Sequence, residues 1–329
     1  MKKNVLKIAM TGLLCLAAAF YIASPAYAGD ALIGISKIVA HPALDALEQG
    51  VQDGVKKTFP TAKFDLQNAN GEMSTASQIA RKFKAQNVDV AVGIATPTAQ
   101  ALVNAMKKTP VVFCAVTDPV GAGLVASVEK GQPYVTGTSD MTPVRQQIEM
   151  LVRLAGVKTL GHVYTSSEAN AVKLAGIAKQ VCKDLGIGFV ASTVTNSSEV
   201  KQATQAIIKR VDGIYLSNDN TVFSALGSVL SVANRNKVPV MSADPSSAKD
   251  NPVFAAWGFD YYKMGVATGR IVARILNGEK PVDIPTKFMT DPSDVTLIVN
   301  LDVAETIGVK IPGDILETAT VIKNGKPVN

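Results

Sequence analysis

The chain has 329 residues, of which 47% are hydrophobic and 18% charged. That is apolar enough for one large or two medium buried cores and excludes a disordered chain. Two histidines and three cysteines exclude a Cys/His-rich zinc module. The net charge is +6, but Lys2, Lys3 and Lys7 sit in an acid-free leader. The 30 bases that remain against 27 acids call for no nucleic-acid partner.

In the leader, the three lysines precede an apolar run from Ile8 to Ala23, and Pro25 stops it. Ala26-Tyr27-Ala28 then sets small residues three and one before a cleavage point. Residues 1–28 therefore read as a secretory signal peptide, cut after Ala28. The run is shorter than the roughly 20 apolar residues a spanning helix wants. Cys15 follows Leu14 inside the run, whereas a lipid anchor needs a small residue there. An exported chain without a lipid is expected in the periplasm. Cys114, on a strand, and Cys182, on a helix, are expected in different lobes, buried and free.

From Ala31 onward strands and helices alternate. Strands are expected at Ala31–Ser36, Lys63–Gln67, Val88–Ala95 and Val111–Val116, with helices at Pro42–Thr58, Ser74–Gln86 and Pro97–Met106 between them. The pattern then repeats. Strands at Leu160–Tyr164, Phe189–Val194, Gly213–Ser217 and Pro239–Ser242 enclose helices at Ala169–Leu185, Ser198–Arg210 and Val222–Asn234. Val88-Asp89 and Val211-Asp212 open the third strand of each copy, and Asp118-Pro119 and Asp244-Pro245 end the fourth. The fold class is thus α/β: two similar Rossmann-like lobes with parallel sheets. Thr138–Pro143, Ala256–Asp260 and Met289–Asp294 are the candidate hinges, a three-stranded connection. They divide the chain into lobe 1, about 30–140 plus 260–290, and lobe 2, about 143–256 plus 291–329.

Ligands of such sheets sit beyond the carboxyl ends of the strands, here a cleft between lobes. Catalytic chemistry is sparse there. His162 lies within a strand and reads as packed. His41 leaves a strand and can face the cleft, but no Gly-x-Ser-x-Gly elbow supplies a nucleophile. No His-Glu-x-x-His or paired-cysteine motif is present. Gly121 to Ala126 matches a dinucleotide loop only formally, after a late strand. No enzyme, cofactor or metal is expected.

Thr96-Pro97, Asp118-Pro119 and Asp244-Pro245 read as capped helix starts. Helix starts at a cleft offer free N–H groups to a carboxylate, and Thr96, Thr98 and Thr117 add hydroxyls. Lobe 2 offers Glu168, Asn170, Asn218, Asp219 and Asp244 to an ammonium group, with Asp219 the expected partner. Opposed walls of this kind fit a zwitterion. Trp257, Phe259 and Tyr261 beside a hinge are either a stacking platform or hinge packing. A sugar or nucleoside, and more remotely a secreted hydrolase, are the alternatives.

His41-Pro-Ala-Leu-Asp45, Ile94-Ala-Thr-Pro-Thr98, the block Val116 to Val125, Glu168-Ala-Asn170, Ser217-Asn-Asp-Asn220 and Tyr261-Tyr-Lys-Met-Gly265 resemble the tryptophan/tyrosine-type substrate-binding proteins of ABC transporters. The resemblance spans nearly the whole mature chain. It implies the type I periplasmic binding protein fold, capture of an amino acid and delivery to a permease in the inner membrane. Thr96, Thr98, Thr117 and Asp118 would then line one wall, with Asn170 and Asp219 opposite. A monomer is expected.

Overall fold

A computed structural model of the chain describes residues 30–248 and 251–328. The leader read over residues 1–28 lies outside the described residues.

The first sheet is built from β1 (Leu32–Lys37), β2 (Lys63–Asn68), β3 (Val90–Ile94), β4 (Val111–Cys114) and β5 (Val135–Ser139). Helices α1 (Pro42–Lys56), α2 (Met73–Gln86) and α3 (Thr96–Ala105) connect its first four strands. The second sheet follows α4 (Val144–Ala155) and opens with β6 (Thr159–Thr165), α5 (Ala169–Leu185), β7 (Gly188–Val194) and α6 (Val200–Ile207). It continues through β8 (Gly213–Leu216), α7 (Asn220–Ser224), α8 (Leu226–Arg235), β9 (Val240–Ser242) and β10 (Ala255–Phe259). The chain then returns to the first lobe for α9 (Tyr261–Leu276) and β11 (Lys287–Phe288). It ends on the second with β12 (Val295–Asn300), α10 (Leu301–Ile307), α11 (Gly313–Thr318), β13 (Thr320–Lys323) and β14 (Lys326–Pro327).

The first sheet, ordered β11-β5-β4-β3-β1-β2, is parallel throughout. The second, β14-β13-β12-β10-β9-β8-β6-β7, is not. Its β10–β12 and β13–β14 pairs are antiparallel, which corrects the expectation of two purely parallel sheets. The reason is topological. β10 runs out toward the first lobe, and β12 comes back from it beside β10. The chain passes between sheets three times, after β5, after β10 and before β12. The last two passages are tied by a 2.8 Å bond from Asp260 N–H to the Asp294 carbonyl.

Burial follows the strand period of two. In the second lobe Ile214 and Leu216 face one apolar layer, and Tyr215 between them faces the other. The same alternation recurs at Val240/Met241 and Ile298/Val299. The first lobe has one contiguous core, to which α9 contributes Met264, Ile271 and Val272. Cys114 and Cys182 are buried and free, one in each lobe.

Several local expectations change. Thr96 is not a cap: it is the first residue of α3, and the cap position is Ala95. Asp118-Pro119 starts no helix. Asp118 Oδ1 accepts the Gly121 N–H at 2.8 Å, closing a turn through a glycine-rich stretch that supports no helix. Asp244-Pro245 starts only one turn of 3₁₀ helix, Pro245–Ala248. The single helix expected over Val222–Asn234 is two, because Ala225 leaves helical geometry at φ −118°, ψ 24°.

Candidate functional site

The carboxyl ends of β1, β3, β4, β6, β8 and β9 converge on the space between the lobes. A cavity there encloses about 360 Å³ of space not filled by atoms, its open mouth included. His41, Ala95, Thr96, Ala115 and Thr117 line it from the first lobe. Asn170, Asn218, Asp219, Asn220, Phe223 and Asp244 line it from the second, and Asp140 and Tyr261 from two of the passages between lobes. The lobes are closed on it. His41 and Phe223 rings meet across the cleft with centroids 5.9 Å apart. Asn218 Nδ2 donates to Asp140 Oδ2 at 2.8 Å and to the Asp140 carbonyl at 3.1 Å. At the cleft's outer edge Lys173 and Asp118 form an ion pair at 3.0 Å.

On the first wall, Thr96 opens α3 with its hydroxyl buried and unbonded. The first N–H groups of any helix lack internal partners and carry partial positive charge. Ala95, just before, has φ 75° and ψ 159°, and Ala115, at the exit of β4, has φ 55°. Such backbone costs an alanine of the order of 1–3 kcal/mol and persists where surrounding structure enforces it, often at binding sites. The His41 ring is buried and neither nitrogen makes a well-formed bond. Burial pushes it down to about 4, so it is neutral at physiological pH.

The second wall carries acceptors. Asp219 caps α7: its Oδ1 accepts from Val222 N–H at 2.9 Å and Thr165 Oγ1 at 2.7 Å, and its Oδ2 from Thr165 N–H at 2.6 Å. Burial, then the nearby Glu168 charge, holds its carboxyl well above the usual range. Glu168 stands behind the wall, accepting from Thr221 Oγ1 at 2.8 Å and from the amides of Asn170 and Asn220. Asp244 accepts from Ser246 N–H at 2.8 Å. The Oδ1 atoms of Asn170 and Asn218 are buried without a partner. Among the described residues no Lys or Arg lines the cavity.

Of the residues singled out from sequence, His41, Thr96, Thr117, Asn170, Asn218, Asp219 and Asp244 come together on this cavity. Two do not. Thr98 turns its hydroxyl back to the Ile94 carbonyl at 2.6 Å, and Asp118 lines a separate surface pocket with Lys173. Sequence reasoning missed Asp140, Asn220, Phe223 and the backbone at Ala95 and Ala115. For Asp140 the available signal was a carboxylate at a strand exit inside a candidate hinge. Of the three hinge aromatics only Tyr261 lines the cavity, whereas Trp257 and Phe259 pack into the cores. His162 is packed as expected, its Nδ1–H donating to the Tyr215 carbonyl at 2.7 Å. Among the described residues no cluster of metal-ligating side chains occurs, and no helix is long and apolar enough to cross a membrane.

A family model described as ABC transporter substrate binding protein matches residues 32–323. The chain belongs to that family. It is 34% identical over 300 residues to a tyrosine-binding protein of Clostridioides difficile (strain R20291), covering 89% of this chain and 86% of that one. A crystal structure of an ABC domain from Streptococcus pneumonia in complex with L-Trp is 32% identical. It superposes with a TM-score of 0.85 over 89% of this chain and 100% of its own. A ligand-free, open substrate-binding protein from Clostridium difficile is 35% identical, covering 89% and 99%, but superposes at only 0.66. This substrate-binding protein has the type I periplasmic binding fold.

Proposed function

We propose that the chain is the periplasmic solute-binding component of an ABC importer. It takes an amino acid, with an aromatic side chain by analogy with the relatives' tyrosine and L-Trp, and presents it to an inner-membrane permease. The observation that carries this reading is the interlobe cavity, with a helix N-terminus and an unbonded hydroxyl on one wall facing carboxylates and unbonded amide oxygens on the other. A carboxylate fits the first and an ammonium the second. His41, Thr96, Thr117, Asn170, Asn218, Asp219 and Asp244 are the proposed ligand-facing residues. Lobe 1 is proposed as about 30–140 plus 260–290 and lobe 2 as about 143–256 plus 291–329, working as a monomer. The names of the relatives support a binding role over a catalytic one.

A thermal-shift panel of the twenty amino acids, common sugars and nucleosides tests the reading. A ligand at a hundred times its dissociation constant adds about 2.7 kcal/mol of stability. We expect that upward shift for one or a few amino acids, aromatic ones foremost. Shifts with sugars or nucleosides and none with any amino acid would refute it.

A further inference from the structure

The three carboxylates on the cavity are not equivalent. Asp219 is committed to capping α7 and to Thr165, and Asp244 to the turn at Ser246. Asp140 caps nothing. Its Oδ1 accepts from Thr117 Oγ1 at 2.9 Å and its Oδ2 from Asn218 Nδ2 at 2.8 Å. It lies one residue past β5, at the first passage between lobes, and Tyr261 meets it from the second. Its carboxyl is therefore buried, 4% exposed, where two interlobe connections and the second lobe converge.

The Asn218 amide is oriented by this contact. Its nitrogen faces two Asp140 oxygens, so its Oδ1 must point elsewhere, and that atom is buried and unbonded on the cavity. The unbonded Oδ1 of Asn170 adds a second acceptor, and Asn170 itself donates to the Asn218 carbonyl at 2.9 Å. A carboxyl group and two amide oxygens, with no lysine or arginine on the cavity among the described residues, form a site for a group with several N–H donors and a positive charge.

Resting on the amino-acid reading above, we propose that Asp140, rather than Asp219, accepts the ligand's ammonium group, and that this contact makes closure depend on the ligand. Closing the lobes buries the Asp140 carboxylate against Asn218. A buried ion without a counter-charge is costly, whereas a paired and hydrogen-bonded one is tolerated. The ammonium supplies that counter-charge, so a solute lacking it leaves closure opposed by desolvation. Asp219 then acts as a positioning residue, holding α7 and hence Asn220 and Phe223 on the wall.

The test crosses a protein change with a ligand change. Calorimetric titration compares L-tyrosine with 3-(4-hydroxyphenyl)propionate, and L-tryptophan with 3-(indol-3-yl)propionate, on wild type and Asp140→Asn. Wild type is expected to prefer each amino acid over its des-amino analogue by about a hundredfold or more. Asp140→Asn is expected to cut that preference to about tenfold or less, by losing affinity for the amino acid alone. If the variant keeps the full preference, or loses amino acid and analogue equally, the assignment is wrong while the amino-acid reading stands. If wild type binds neither, the same comparison is made with whichever amino acid stabilises the protein and its des-amino analogue; if no amino acid does, the ligand reading fails and the assignment falls with it. Asp140→Ser, smaller and still able to bond Asn218, supplies the same comparison should Asp140→Asn not fold.

Discussion

His162 shows how a single buried side chain sets a pH limit. It is fully buried beside Tyr164, Phe189 and Tyr215, its Nδ1–H is used by the Tyr215 carbonyl, and its Nε2 has no partner. Adding a proton there would create a buried cation with nothing to receive it, and burial pushes the group down to about 4. Between pH 6.5 and 4 the unfolded chain therefore binds a proton that the native chain refuses. The stability contributed is complete above the unfolded value and is lost as pH falls toward 4, amounting to about 3 kcal/mol. The raised carboxyls of Asp140 and Asp219 act in the opposite sense, so the informative quantity is a difference between proteins. Melting temperatures of wild type and His162→Phe, followed from about pH 7 down to about pH 4, should converge or cross as the wild type falls more steeply. Parallel curves would show that the His162 proton is not what the fold excludes. The limit of sequence reading is also plain at this scale. Asp219 was legible as a polar residue at a strand exit, standing as far past Asp212 in the second copy as Thr96 stands past Asp89 in the first. Asp140 was not, because its role comes from Asn218, 78 positions away. Asp118 misled because Asp-Pro serves a turn as well as a helix, and the glycines after it decide for the turn.

Among the elements, α1 and α9 set how the first lobe is built around its late-arriving helix. Gly50 and Gly54 on α1 meet Gly265 and Gly269 on α9, and a Cβ at Gly265 would overlap the Leu47 carbonyl oxygen. The helices thus touch backbone to backbone, and any side chain at the crossing must push them apart. Gly265→Ala should cost about 3 kcal/mol in urea unfolding. Gly176→Ala, on the exposed face of α5 with nothing within 4 Å, should be neutral or gain up to about 1 kcal/mol. Equal effects at the two sites would mean that the crossing is looser than described. The order of strands and helices was legible because 3.6- and 2-residue periods are local. The antiparallel β10–β12 pair was not, since it depends on the chain leaving the second lobe and returning beside the same strand. The split between α7 and α8 was missed because the apolar period runs on through Ala225.

At the scale of the whole molecule, two lobes with separate cores meet over a cleft whose walls are mostly polar. The Lys173–Asp118 pair is exposed enough to contribute at most about 1 kcal/mol, and the Asp140–Asn218 contact buries a carboxyl group. The three passages between lobes are expected to let the molecule open by hinge bending. At similar identity, the better superposition on the L-Trp-bound relative than on the open, ligand-free one agrees with this being the ligand-gripping arrangement. The duplicated strand-and-helix order made two lobes and a cleft legible in the sequence. It could not give their closure, which depends on contacts between residues from opposite halves. The central claim, a trap that shuts on an amino acid, is tested most directly by small-angle scattering of the mature chain. Curves are recorded without ligand and with an amino acid that calorimetry shows to be saturating. The radius of gyration should fall on binding, and the liganded curve should match the closed structure. Superimposable curves at proven saturation would contradict the account.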